Sequence, residues 1–309
     1  MTKKDQDYIA KINIVKTEHY LNMKLLFLFI IKQFYDIGYK LHLLSPHKNR
    51  QLKKTYYREK MEIYSFWHNL CAKKRIAQYF SAHSKKSDKV IYTCIIGDYD
   101  QLLAPNYINS DYDYICFTDS QEMIQKKYVG PWEIKPLQFS QLNNSQNNRW
   151  HKMHPHILFP NYQTSIYIDA NINFKTDKIY KYINALPDNC FIALPRHAKR
   201  DCIYEEAISV IENELDTPEK VNVLLNKYRK EGFPPHFGLA ENNVIYRRHN
   251  NPECIKLMNE WWNIFLKYSQ RDQLTLFYLF WKNKINFTFF DHTPFKKDHK
   301  NFRIYKHKG

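Results

Sequence analysis

Asp169 and Asn171 stand two apart at the end of the β-branched, aromatic run Ser165-Ile166-Tyr167-Ile168. In open α/β sheets ligands bind beyond the carboxyl ends of the strands, where loops vary freely. A carboxylate and a carboxamide so placed can both offer oxygen to a hard cation such as Mg²⁺ or Mn²⁺, and such a cation can hold a diphosphate. Asn instead of a second Asp lowers the charge of the pair and weakens its hold on the metal. The same two residues also serve as ordinary turn formers after a strand. Upstream, Arg149 and Lys152 are three apart within Arg149-Trp150-His151-Lys152-Met153-His154-Pro155-His156. On a helix they share a face and can clamp phosphate by charge, or form a plain basic surface. The histidines lack the four-residue spacing of a helical zinc pair, which disfavours zinc.

Other chemistry-bearing residues follow strand-like runs. Gly97-Asp98-Tyr99-Asp100 comes after Tyr92–Ile96. Gly97 lets the backbone approach a ligand closely and Tyr99 can stack on a base, although a simple turn uses the same residues. Asp119 follows Cys116-Phe117-Thr118, suited to a ribose or uracil edge and equally to a helix N-cap. His197, Arg200 and Asp201 follow the run 190–194, where Arg200 can offset the charge of a diphosphate leaving group.

These residues need elements to carry them. Strands are expected at Val90–Ile96, Asp113–Phe117, Trp132–Leu137, Ser165–Ile168, Cys190–Leu194, Val244–Arg247 and Phe287–Phe290. Helices are expected at Trp150–Phe159, Cys202–Leu215, Pro218–Tyr228, Pro252–Lys267 and Asp272–Trp281. Their alternation implies a mainly parallel sheet flanked by helices on both faces. Residues 1–87 read as a basic, mainly helical N-terminal extension with helices near 20–37 and 51–80, a linker at Ser81–Asp88, and the second domain at 88–309. The pair Trp261-Trp262 fits a sugar-stacking platform less well than a helix core.

The chain has 309 residues and a net charge of +16, with 44% hydrophobic and 16% aromatic residues, which is globular rather than disordered. Scarce Gly with abundant Lys, Asn, Ile and Tyr marks an AT-rich, bacterial genome. The charge is uneven: residues 1–90 hold 19 Lys/Arg against 7 Asp/Glu, and residues 292–309 hold 6 against 1. A nucleic-acid enzyme concentrates basic surface around its site, so a near-neutral middle argues against a nucleic-acid partner. Basic flanks suit an anionic membrane surface, or a merely solvated arm. The six cysteines form no Cys-x-x-Cys pair, and read as free, buried residues of a reducing, cytoplasmic compartment. No signal peptide is apparent, and the apolar run Leu25–Ile31 is far shorter than a spanning helix. The expectation is a cytoplasmic protein, peripheral at the inner face of the plasma membrane.

In order along the chain stand Tyr92–Asp100 with Pro105, Cys116–Asp119, Arg149–His156, Phe159–Tyr162, Tyr167–Asn171, Arg200–Ala207, Glu231–Pro234, Gly238–Ile245 and Arg271–Leu274. This series resembles the glycosyltransferase-like family catalogued as domain of unknown function 616, with plant Golgi and bacterial polysaccharide-locus members, over about 90–285. The resemblance implies a GT-A fold, a Rossmann-like nucleotide-binding sheet. Asp169-x-Asn171 is similar to the Asp-x-Asp motif of nucleotide-sugar glycosyltransferases, which implies Mn²⁺ or Mg²⁺ as cofactor. Asp272-Gln273 resembles a helix start of glycosyltransferase family 8 that contacts the donor sugar, and implies retention at the anomeric carbon; a helix cap needs no such role. The implied activity is transfer from a nucleotide diphosphate sugar to a saccharide or lipid-linked acceptor in capsule or lipopolysaccharide synthesis. Asp272, Gln273 and Glu241 would meet sugar hydroxyls, with Arg200 and Arg149 at the leaving group. A catalytically silent, saccharide-binding or scaffolding relative is the alternative, and a nucleic-acid-binding protein the second.

Overall fold

The computed structural model of the chain describes residues 72–83 and 87–307. The expected helices at 20–37 and over most of 51–80, Leu25–Ile31 and Cys71 lie outside them. The remaining five cysteines are free and buried.

An eight-stranded sheet is built from β1 (Lys89–Ile95), β2 (Asp113–Thr118), β3 (Tyr128–Val129), β4 (Trp132–Pro136), β5 (Thr164–Ile168), β7 (Ile192–Leu194), β8 (Val244–Arg247) and β9 (Thr288–Phe289), in the order β3-β4-β2-β1-β5-β8-β7-β9. β3 and β8 run against the others. β6 (Ile172–Phe174) pairs antiparallel with β10 (Phe302–Ile304) in a separate ribbon. Every residue of β1 after Lys89 is buried, because helices cover both faces of the central strands. Its side chains alternate accordingly: Val90, Tyr92 and Cys94 enter one core, Ile91 and Ile95 the other. β5 divides the same way, with Tyr167 on the first side and Ile166 and Ile168 on the second. This is the expected α/β architecture.

The first core is capped by α3 (Asn144–Met153), α6 (Ile203–Glu212), α7 (Pro218–Glu231), α8 (Pro252–Lys267) and α9 (Leu276–Lys282). The second lies under α1 (Lys73–Ala82) and α5 (Lys178–Asn184) and the β6–β10 ribbon. The two remaining helices are α2 (Gln121–Lys126) and α4 (Pro155–Leu158). α1 precedes the 87/88 boundary yet packs on the sheet: the Tyr79 hydroxyl donates to the Tyr112 carbonyl, and His83 meets Asp113 at 2.5 Å.

The helix expected at Trp150–Phe159 starts earlier and breaks in the middle. An Asn143/Gln146 capping box opens α3, and Pro155, which cannot donate into the preceding turn, ends it at His154. The helix expected from Asp272 begins instead as a 3₁₀ turn, Asp272–Leu274, and α9 follows from Leu276. Trp261 is fully buried with its indole N–H on the Thr275 hydroxyl, which is a core role.

Burial of histidine has a consequence for acid stability. Desolvation pushes His151, His154 and His249 down to about 4, against the hydrogen bonds that their rings make to the carbonyls of Asn147, Trp150 and Phe159. Above about pH 6.5 these rings are neutral in both states. Below it the unfolded chain takes up protons that the folded chain does not, so stability falls as pH drops from about 6.5 to about 4, by up to roughly 1.4 kcal/mol per unit and ring. Three rings together approach the whole stability of a domain, about 5–15 kcal/mol. Thermal unfolding followed by circular dichroism should therefore show Tm falling steeply between pH 6.5 and 4. A flat Tm over that range would contradict buried neutral imidazoles.

Candidate active site

From β1 the sheet order runs to β2 and β4 on one side and to β5 on the other. A crevice therefore opens beyond the carboxyl ends of β1 and β5, whose register sets Tyr92 against Tyr167. β1 delivers Gly97, Tyr99 and Asp100 to this crevice, and β5 delivers Asp169, Ala170 and Asn171. Because β8 is antiparallel to β5, the start of β8 lies at the same edge, and the Asp169 N–H donates to the Asn243 carbonyl at 2.8 Å. Glu241, Asn242 and Asn243 thus join the rim.

The result is a cavity of about 660 Å³, within the range of small-molecule sites. α3 lies along it with Ser145, Asn148, Arg149 and Lys152 facing in, the spacing of a single helical face. Asp272 and Gln273 form part of the same wall. Charge is balanced around it: Asp100, Asp169, Glu241 and Asp272 stand against Arg149, Lys152, Arg271 and Lys296.

Asp272 is the electrostatic centre. It is 4% exposed, with Lys152 Nζ at 2.6 Å and Arg149 Nε at 3.4 Å, both on Oδ2. Burial alone would raise its carboxyl, but Lys152 and Arg149 outweigh that and hold it well below the usual carboxylate range. Burial pulls Lys152 below its ordinary value against the attraction of Asp272. The ammonium also lies 5.1 Å from the Tyr167 ring centroid, a cation–π contact. The Asp272 side chain does not cap the 3₁₀ turn, whose N-cap is Arg271; the helix-cap reading is therefore replaced by a buried ion-pair triad. The Gln273 amide donates to the Ala240 carbonyl at 3.4 Å.

Asp169 accepts from the Tyr167 hydroxyl at 2.9 Å. Asn171 donates through Nδ2 to the Tyr305 carbonyl at 2.9 Å, which fixes the amide plane and leaves its oxygen as the atom for a ligand. Among the described residues no three His, Cys, Asp or Glu side chains converge as a metal group. A cation here would be held by one carboxylate and one amide oxygen, with ligand oxygens and water completing its shell. That donor set fits Mg²⁺ or Mn²⁺, which commonly bind through one or two protein oxygens plus phosphates.

Gly97 has φ +66°, a left-handed backbone conformation that favours glycine, and a Cβ there would displace the end of the exposed Asn144 side chain on α3. Asp119 does not line the cavity; it accepts the Gly97 N–H with both oxygens at 3.1 Å, and Ser120 rather than Asp119 caps α2. Arg200 is likewise absent from the wall. Its guanidinium is held by Glu206 through Nε and Nη2, each at 2.6 Å, and His197 lies 3.7 Å from the same carboxylate. The basic C-terminal segment supplies what charge counting alone does not reveal. Lys296 pairs with Glu241 at 3.0 Å, and His307 with Asp100 at 2.9 Å while packing against the half-exposed Tyr99 ring. The β6–β10 pairing brings this segment to the site.

Among solved structures, the chain is similar to the WbbM bifunctional glycosyltransferase (12% identity, 67% of this chain and 39% of that one, TM-score 0.41). Mouse xyloside xylosyltransferase 1 matches at 9% identity over 66% of this chain and 84% of its own, with TM-score 0.38. The glycosyltransferase GlyE of Streptococcus pneumoniae matches at 9% over 66% and 45%, with TM-score 0.37. The chain thus spans well under two thirds of WbbM and GlyE. No curated protein is significantly similar. Residues 72–304, three quarters of the sequence and the whole of the sheet, match the domain described as TOD1/MUCI70, glycosyltransferase-like, and the chain belongs to that family.

Proposed function

We propose that the protein transfers a sugar from a nucleotide diphosphate sugar to a saccharide or lipid-linked acceptor in the synthesis of a bacterial surface polysaccharide. The observation that carries this reading is the meeting, in one cavity at the sheet's switch point, of Asp169 and Asn171 with Arg149, Lys152 and Arg271 and with the Tyr99 ring. A nucleoside diphosphate has the matching parts: a planar base, a diphosphate that binds both a divalent cation and guanidinium or ammonium groups, and a sugar beyond it.

Bound at Asp169 and Asn171, Mg²⁺ or Mn²⁺ would neutralise diphosphate charge as a Lewis acid. The chain's own cations act on the leaving group. As the anomeric bond breaks, negative charge grows on the departing phosphate oxygen, and Arg149, Lys152 and Arg271 stabilise it without reorganising, since Asp272 already holds the first two in place. Both ion pairs use Oδ2 of Asp272, which leaves Oδ1 to accept from a sugar hydroxyl. Glu241 and Gln273 lie along the same wall for the remaining hydroxyls. Transfer at the cytoplasmic face of the membrane accords with the 19 Lys/Arg of residues 1–90. Among the described residues no helix is long and apolar enough to cross a membrane.

The test is a thermal-shift panel of nucleotide sugars and free nucleotides with and without Mn²⁺. A ligand at one hundred times its Kd adds about 2.7 kcal/mol to stability, or about 5–10 °C for a domain of this size. If no nucleotide raises Tm under either condition, the proposal is wrong.

A further inference from the structure

Arg247 is fully buried in β8, between β5 and β7, and among the described residues no carboxylate forms an ion pair with it. Its fork binds neutral acceptors: Nη1 donates to the Lys152 carbonyl at 2.7 Å and contacts Met258 Sδ at 3.2 Å, and Nη2 donates to the Tyr92 hydroxyl at 2.6 Å. The histidines around it, His154, His156 and His249, are held neutral by burial. A buried charge without a counter-ion is expensive, and an apolar side chain of the same volume would fill the space at least as well. What the guanidinium does here is specific. Lys152 belongs to the last turn of α3, where carbonyls lack helical partners and the helix dipole is negative, so a cation beneath it fixes the end of the helix. The Lys152 ammonium in turn reaches Asp272 at 2.6 Å. Lys152 is thus fastened at its carbonyl by Arg247 and at its ammonium by Asp272, with Tyr92 also donating to that carbonyl at 3.1 Å.

We infer that Arg247 is a positioning residue: by pinning the main chain of Lys152 it sets the ammonium at the cavity wall for an anionic, diphosphate-bearing ligand. The consequence for ligand binding rests on the proposed function; the positioning itself does not.

The decisive measurement is a ligand-free thermal cycle of Arg247→Met, Lys152→Met and the double variant. Of Lys152, Arg247 touches only the carbonyl, which methionine at 152 retains, so an Arg247 that merely stabilised the fold would give additive losses. Positioning predicts that Lys152→Met lowers Tm by several degrees in the wild-type background and by much less in Arg247→Met, where the ammonium is already misplaced. Simple repulsion between the two cations predicts the opposite sign. Equal or larger losses in the Arg247→Met background overturn the inference. Should Arg247→Met fail to fold, Tyr92→Phe takes its place, because it removes the hydroxyl that steadies the fork. A second arm reads Kd for UDP with Mn²⁺ by calorimetry. Arg247→Met should weaken binding about tenfold, the decade that corresponds to about 1.4 kcal/mol, and the double variant no more than Lys152→Met alone. If the wild type does not bind UDP while the thermal cycle behaves as expected, the functional reading fails and the positioning role stands.

Discussion

Asp272→Asn is expected to lower Tm by about 10 °C. The substitution preserves shape and removes the negative charge paired directly with Lys152 and Arg149, at 2.6 and 3.4 Å. Breaking a buried pair by deleting one partner costs about 3–5 kcal/mol, and each kcal/mol is worth roughly 2–4 °C in a domain of 150–250 residues. Were Asp272 only a helix cap, asparagine would substitute without loss. The second half of the expectation is compensation: Lys152→Met in the Asp272→Asn background removes the stranded ammonium and should recover part of the lost Tm, although each substitution alone destabilises. Ligand binding should move the other way. With one anion fewer, the cavity grows more positive, so UDP affinity holds or rises. Transfer falls by a hundredfold or more, because the cations are no longer oriented where leaving-group charge develops. An unchanged Tm in Asp272→Asn would remove the triad from the account.

How far the site could be read from the sequence depends on the range of the contacts. β1, β2 and β5 announce themselves as apolar runs, and the residues just after β1 and β5 line the cavity as expected. Val244–Arg247 is legible as a strand at its observed bounds, but four residues carry no sign of direction. Its antiparallel sense, set by the whole sheet, is what brings Glu241–Asn243 to the rim. Arg149 and Lys152 share a helical face because they are three apart; that they meet Asp272, 120 residues on from Lys152, has no local signature. The Asp100–His307 contact spans 207 residues, so the C-terminal basic segment looks like solvated charge until the β6–β10 pairing is known. Two signals were within reach. Asn143 and Gln146 form a capping box that dates the start of α3, and Glu206, six residues after Arg200, is a local partner that keeps Arg200 from the cavity.

Asp169→Asn should abolish the Mn²⁺ dependence of nucleotide binding and leave the fold intact. Asparagine still offers an oxygen to the Tyr167 hydroxyl, now 2.9 Å from the carboxylate, so the local hydrogen bond survives and only the charge is lost. Because Asp169 is the sole carboxylate of the Asp169/Asn171 pair, its neutralisation leaves two amide oxygens, which are poor ligands for a hard cation. At the same time the wall keeps Arg149 and Lys152, whose attraction for a diphosphate is then offset by Asp272 but no longer by Asp169. The two effects separate cleanly by calorimetry. In the wild type, Mn²⁺ should tighten UDP binding by tenfold or more, whereas in Asp169→Asn the Kd should be the same with and without Mn²⁺ and no weaker than the metal-free wild-type value. Asn171→Asp should shift the balance the other way, adding a charge to the oxygen set and lowering the Mn²⁺ concentration needed, at the expense of metal-free binding. A reciprocal pattern of this kind cannot arise from a change in folding, which would weaken both conditions together. Persistence of full Mn²⁺ dependence in Asp169→Asn would place the cation elsewhere.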